Sequence, residues 1–151
     1  MKVVIQRVSQ ASVVVDNQMI GQIEKGFMLL VSVEDADTQE DLDWIVKKTI
    51  GIRIFNDKNG KMNLSINEVD GSLLVISQFT LHASVKKGNR PSFIKAGAPE
   101  FAKKRYQDLI ESFKIQLISN QVKSGEFGAD MKVSLINDGP VTILLDSKNK
   151  I

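Results

Sequence analysis

The sequence predicts a layered α/β domain, and three observations predict it. β-Branched residues alternate with polar ones through the first third of the chain, as at Val3, Ile5, Val13 and Val15, which is the period of half-buried strands. Two later segments space their apolar residues for one face of a helix, from Leu42 to Ile50 and from Ala102 to Leu117. Apolar strand-like runs, Leu73-Leu74-Val75-Ile76 and Val133-Ser134-Leu135-Ile136, stand between and after them. Strands and helices that each bury one face pack as layers around a shared core. A chain of 151 residues is expected to form one domain, spanning residues 1–151.

The elements follow in order. After the first strands, Ile20 and Ile23 lie in a short second element. Gly26 to Val33 is almost continuously apolar, as in a strand covered on both faces. Thr38 can cap a helix with Glu40 and Asp41 in its first turn, where the helix dipole favours negative charge. Leu42, Ile45, Val46, Thr49 and Ile50 form its buried face, and Gly51 closes it. Ile52 to Phe55 reads as a short strand, followed by a turn at Asp57-Lys58-Asn59-Gly60. Ser72 to Phe79 reads as a buried strand, and His82 to Gly97 as a polar, irregular segment. Pro99 suits the first position of a second helix, whose buried stripe is Ala102, Tyr106, Leu109, Ile110, Phe113 and Leu117. Two final strands, Met131 to Ile136 and Val141 to Leu145, flank a Gly-Pro turn, and the tail after Asp146 reads as frayed.

Composition narrows the function. Hydrophobic residues make up 42% and charged residues 25%, as in ordinary globular domains. A net charge of +2 argues against nonspecific coating of nucleic acid but allows a local RNA-binding patch. With no cysteine, disulfides and thiolate catalysis are excluded. One histidine and no cysteine leave no ordinary zinc ligand set, so no metal is expected. The amino-terminal segment goes directly into Lys2-Val3-Val4-Ile5 without a signal-like core or cleavage site, and no apolar run is long enough for a bilayer. A cytoplasmic protein with no membrane partner is the default expectation.

Two segments concentrate polar and conformationally special residues at strand ends, where sites tend to be built. Along a continuing strand, Ser77-Gln78-Phe79-Thr80-Leu81 would place Gln78 and Thr80 on one face. These residues either satisfy nearby backbone or form a site in which a hydroxyl and exposed N–H groups meet an acyl substrate. His82 would share the face of Thr80, either as a base for it or as an exposed loop residue. Asn137-Asp138-Gly139-Pro140-Val141-Thr142 reads either as a hairpin turn or as a rigid turn that presents two carbonyls in fixed directions. Lys86-Lys87-Gly88-Asn89-Arg90-Pro91-Ser92-Phe93 is either a solvated loop or a surface for a phosphate backbone with an aromatic for stacking. Arg7, set among apolar residues, needs a partner or an outward direction.

Together these segments resemble the D-aminoacyl-tRNA deacylase family. The resemblance runs over essentially the whole chain, through Met1-Lys2-Val3-Val4-Ile5-Gln6-Arg7-Val8, Ser77 to Leu81, Asn89-Arg90-Pro91-Ser92-Phe93 and Asn137 to Thr142. It implies a three-layer α/β/β fold, a homodimer, and hydrolysis of the ester between a D-amino acid and the 3′ end of tRNA, with no cofactor. It implies a cis Gly139–Pro140 bond whose turn enters the partner subunit's active site, where its carbonyls reject the L-configuration. Glycyl-tRNA, such as glycine mischarged on tRNA(Ala), is then an expected second substrate. The implied catalytic residues are Gln78, Phe79 and Thr80, through backbone N–H groups. The implied substrate-binding residues are Ser77, Gly139, Pro140, Arg7, Asn89, Arg90 and Phe93. The family does not require a histidine at position 82. Attack falls to Thr80 or to water assisted by the ribose 2′-hydroxyl, and the second fits a site poor in titratable groups. An L-alanyl-tRNA deacylase of a related branch and a non-catalytic tRNA-binding protein are the alternatives. Single-turnover assays on D- and L-aminoacyl-tRNA separate them.

Overall fold

The first strand organises the whole molecule. In the computed structural model, which describes residues 1–150, β1 runs unbroken from Lys2 to Val15. Ile151, the last residue of the expected 1–151 domain, lies outside the described residues. One edge of β1 pairs along most of its length with β8, Lys132–Asp146. Its other edge is shared: residues 2–8 pair with β3, Gly26–Ser32, and residues 11–15 with β2, Gln18–Ile23. The β1–β2 hairpin closes on Asp16 and Asn17, both at positive φ, as a two-residue turn of matching twist requires. Beyond β3 come two parallel neighbours, β6 (Ser72–Ser77) and then β7 (Val122–Ser124). A small hairpin of β4 (Phe55–Asn56) and β5 (Met62–Leu64) stands apart.

Alternation of side chains divides the core in two. In β3 and β6, Phe27, Leu29, Val31, Leu73 and Val75 face the helices, whereas Met28, Leu74 and Ile76 face the opposite way. The helix side is covered by α1, Gln39–Gly51, and α2, Pro99–Gln116. The other side is covered by the far half of β1 with β2 and the first half of β8, through Val8, Ala11, Val13, Ile23, Val133 and Leu135. β1 serves both cores because its pairing with β8 slips on either side of Val8. Val3 and Ile5 therefore join the first cluster and Ala11 and Val13 the second. Gly21 of β2 lies so near the neighbouring layer that a Cβ there would come within 3.2 Å of the Ser124 carbonyl oxygen. The result is the expected α/β/β layering.

Both helices form where the apolar stripes place them. Thr38 caps α1 in a box with Asp41, whose carboxylate accepts from the Thr38 N–H at 2.8 Å. Pro99 opens α2, and Ala102, Tyr106, Leu109, Ile110 and Phe113 are its buried residues.

Four expectations change. β6 stops at Ser77 rather than Phe79, because β3 ends at Ser32 and offers no further ladder; Phe79–His82 winds into a 3-10 turn. The short strand expected over Ile52 to Phe55 forms only at Phe55–Asn56. Residues 131–145 are not two strands around a hairpin turn. Both halves follow β1 in one direction, and the Gly139–Pro140 bond, which is cis, sits in a protrusion within β8. The tail is tied down as well. Ser147 is buried with its N–H on the Met1 carbonyl, and Lys148 Nζ lies 2.6 Å from Asp41 Oδ2.

Candidate active site

β6 delivers Ser77 beside Val31 of β3, and the ladder takes one more step: the Gln78 N–H donates to the Val31 carbonyl at 2.7 Å. The chain then turns. Leu81 N–H donates to the Gln78 carbonyl at 3.3 Å and Ala83 N–H to that of Thr80 at 3.0 Å. The N–H groups of Phe79 and Thr80 open this turn, and the first donors of a helical turn have no acceptor within it. Gln78 has already committed its own N–H.

The loop that follows is closed by a two-way backbone bridge between Ser84 and Ser92, at 2.8 and 2.9 Å. This brings Phe93 edge-on to Phe79, with ring centroids 5.0 Å apart. Lys86, Lys87, Asn89 and Arg90 are exposed in the loop. Lys86, Lys87 and Lys95 line a shallow cleft with Ile94 and Ser92.

A cavity of about 370 Å³ opens at this strand end. Its walls are the end of β3 at Val31 to Val33, Ser77 and Phe79, the entry to α2, and Phe127, Gly128, Ala129 and Met131. Among the described residues, no carboxylate, histidine, lysine or arginine lines it. Its polar side chains are Ser32, Ser77 and Tyr106. Tyr106 donates to the Val75 carbonyl at 2.7 Å, and burial pushes its phenol well above the usual range, so it stays protonated. The cavity is apolar and uncharged, suited to a flat or aliphatic group with few hydrogen bonds.

Arg7 belongs to a second group. It is only 6% exposed and spends its guanidinium on the chain's own protrusion. Its Nε donates to the Asp138 carbonyl at 2.9 Å, and its Nη1 to the Ile54 carbonyl at 2.5 Å. The Asp138 carboxylate lies 3.7 Å from Nε. Arg7 thus props Asp138-Gly139-Pro140 outward, with all three residues exposed. The groups lie at opposite ends of β3, since Arg7 pairs with Phe27 and Ser77 with Val31. Strand rise and spacing put their Cα atoms roughly 16 Å apart.

His82 matches neither expectation. It is neither an exposed loop residue nor a base for Thr80: it is 4% exposed, and its Nδ1 lies 2.6 Å from Ser32 Oγ. Burial first, then Lys2, lowers its pKa below 6.5 against the opposing pull of Glu34 and Asp37. The unfolded chain takes up a proton near pH 6.5 and the folded chain does so only lower. This contribution to stability is therefore complete above pH 6.5 and is lost as pH falls below it. Urea unfolding at about pH 7.5 and about pH 5.5 should show a larger loss for wild type than for His82→Asn. Ser32 and the wall formed by Phe127, Gly128, Ala129 and Met131 were invisible to sequence patterns. Ser32 is one small polar residue in an apolar run, and the wall comes from segments distant in the chain.

Comparison with known proteins supplies the chemical context. The profile of the D-Tyr-tRNA(Tyr) deacylase family matches residues 4–146. The D-aminoacyl-tRNA deacylase of Flavobacterium johnsoniae is 57% identical over 150 residues, 99% of each chain. That of Phocaeicola vulgatus is 58% identical over 150 residues, with the same coverage. Among solved structures, the c-Myc DNA Unwinding Element Binding Protein has a TM-score of 0.92 at 39% identity, covering 97% of this chain and 98% of that one.

Proposed function

The chain belongs to the D-Tyr-tRNA(Tyr) deacylase family, and from that premise we infer how it hydrolyses the ester of D-aminoacyl-tRNA. The observation that carries the reading is the strand end at Ser77 to Thr80, where Ser77 and Phe79 line an uncharged cavity and the N–H groups of Phe79 and Thr80 open a turn that offers them no acceptor. The cavity holds the terminal nucleoside, the part common to every substrate, and its 370 Å³ falls in the range of small-ligand sites. The ester carbonyl then lies by Phe79 and Thr80, whose N–H groups stabilise the developing oxyanion. Ser77 borders the nucleoside, and Gln78 fixes the turn through its bond to Val31.

Water attacks the carbonyl carbon, the bond to the ribose oxygen breaks, and that oxygen takes the proton. Free tRNA and a D-amino acid leave. Since the cavity wall offers no carboxylate or histidine base, the ribose 2′-hydroxyl relays the proton. Thr80 has no base either, because His82 is turned into the core. Phe93, Asn89 and Arg90, with Lys86 and Lys87, receive the acceptor end of the RNA, by stacking and by charge.

The chiral selector comes from a second copy. One chain keeps its Gly139–Pro140 protrusion at the opposite end of the sheet from its own cavity, so the protrusion serves a site in trans. β8 has a free outer edge among the described residues and exposes Ile136 and Leu144 on either side of the protrusion. An unpaired edge with apolar side chains is a natural interface for a twofold dimer. The carbonyls of Gly139 and Pro140 of the partner subunit flank the substrate Cα and amino group. A backbone wall there excludes an L side chain by clash while ignoring which D side chain is present. Glycine, with no side chain, passes as well.

We read residues 1–151 as a single domain acting in the cytoplasm without metal. Among the described residues no helix is long and apolar enough to cross a membrane. Two measurements test the assembly. Sedimentation should show a dimer at assay concentrations, and single-turnover hydrolysis of D-tyrosyl-tRNA should survive a chelator. An active monomer, or activity lost to chelation and restored by zinc, would contradict this reading.

A further inference from the structure

Ser32, which lines the cavity, and His82 are two polar side chains only 1% and 4% exposed. Ser32 Oγ lies 2.6 Å from His82 Nδ1 and 3.3 Å from the carbonyl oxygen of Phe79. We propose that these two side chains are positioning residues for deacylation: His82 Nδ1–H donates to Ser32 Oγ, and the Ser32 hydroxyl donates to the Phe79 carbonyl.

The direction of this relay follows from hydrogen-bond accounting. Ser32 has a single hydrogen. If it went to His82 Nδ1, the imidazole would carry its proton on Nε2, which is buried and has no partner. The cost would be an orphaned buried N–H, and the Phe79 carbonyl would lose its donor. With the proton on Nδ1, both donors of this His82–Ser32–Phe79 relay have acceptors, and within it only the Nε2 lone pair is left over. Burial keeps the ring neutral, as this arrangement requires.

The consequence lies on the other side of one peptide plane. The Phe79 carbonyl belongs to the same peptide as the Thr80 N–H. In a planar trans peptide the two point in opposite directions. Drawing the Phe79 oxygen toward Ser32 therefore turns the Thr80 N–H away from Ser32 and fixes its direction at the strand end where Ser77 and Phe79 line the cavity. A hydrogen bond to the carbonyl also polarises the N–H of that peptide. The turn is then held to the end of β3 through Gln78 on Val31, Phe79 on Ser32 and His82 on Ser32. The relay's purpose rests on the deacylase reading, in which the Thr80 N–H faces the oxyanion.

The test exploits the single histidine of the chain, which makes the imidazole nitrogen spectrum unambiguous. In ¹⁵N-labelled wild type without RNA, Nδ1 should be the protonated nitrogen at neutral pH; an Nε2–H tautomer would overturn the relay, whatever the activity. In single-turnover deacylation of D-tyrosyl-tRNA, His82→Ala and Ser32→Ala should each slow the saturated rate roughly ten- to hundredfold. Half-saturation should barely move. The double variant should be no worse than the slower single one, since both break one chain. His82→Asn should recover much of the rate, because the asparagine N–H can replace Nδ1–H. Folded variants with wild-type rates, or losses that multiply, would refute the proposal. If His82→Ala fails to fold, the wild-type tautomer and His82→Asn decide. An inactive wild type would overturn the deacylase reading itself, and the relay's purpose with it; unchanged variant rates beside an active wild type would overturn the relay alone.

Discussion

Gly139→Ala should cut deacylation of D-aminoacyl-tRNA by about a hundredfold or more, while the chain still folds and dimerises. Gly139 has φ +127°, a region that side-chain-bearing residues rarely enter. A Cβ there would come within 2.9 Å of Val141 Cγ2 and 3.0 Å of Arg7 Nη2. Relief requires either rotation of the peptide or displacement of the guanidinium that props the protrusion. Both move the Gly139 and Pro140 carbonyls, which in the proposed dimer meet the partner's substrate. The stability cost should be modest, about 1–3 kcal/mol for local backbone strain, because Asp138, Gly139 and Pro140 are exposed and outside both cores. Single-turnover kinetics, with circular dichroism and sedimentation as controls, check the separation. A folded dimer with the wild-type rate would remove the protrusion from the mechanism.

Replacing the terminal ribose with its 2′-deoxy form should slow wild-type hydrolysis by about 10²- to 10⁴-fold, the usual worth of a positioned proton relay. Thr80→Ala acting on the natural substrate should stay within about tenfold of wild type, because its backbone N–H survives the substitution. A Thr80 nucleophile demands the reverse pattern, since an attacking side chain cannot be spared. Normal cleavage of the deoxy substrate together with a dead Thr80→Ala variant would rule out assistance by the 2′-hydroxyl. That no carboxylate, histidine or lysine among the described residues lines the cavity is the reason for expecting the first pattern.

Most of the scaffold was legible because its signals are local. The Gly26 to Val33 run, the α1 stripe with its Thr38 cap, and Pro99 at the start of α2 each report on one element through its own periodicity or capping. What escaped depends on contacts between distant segments. The strand expected to reach Phe79 ends at Ser77 because its neighbour β3 ends, and nothing within 72–79 records that. The Gly139–Pro140 pair looks like a hairpin turn until β1 is seen to offer both flanking segments a continuous partner. His82 in a polar stretch gives no hint of burial, because its partner Ser32 is fifty residues away in the chain. The motif at Ser77 to Leu81 and the buried Arg7 stood out in the sequence, but how they are placed relative to one another did not. The division of site residues between two ends of the sheet emerged only from strand register.

The central claim is that a backbone wall selects chirality in an ester hydrolase without a side-chain specificity pocket for the amino acid. Matched single-turnover deacylation of D-tyrosyl-tRNA and L-tyrosyl-tRNA by the wild-type protein tests it most directly. The D-substrate should be hydrolysed rapidly and the L-substrate left at its spontaneous rate. Equal hydrolysis of both, or preference for the L-substrate, would contradict the account.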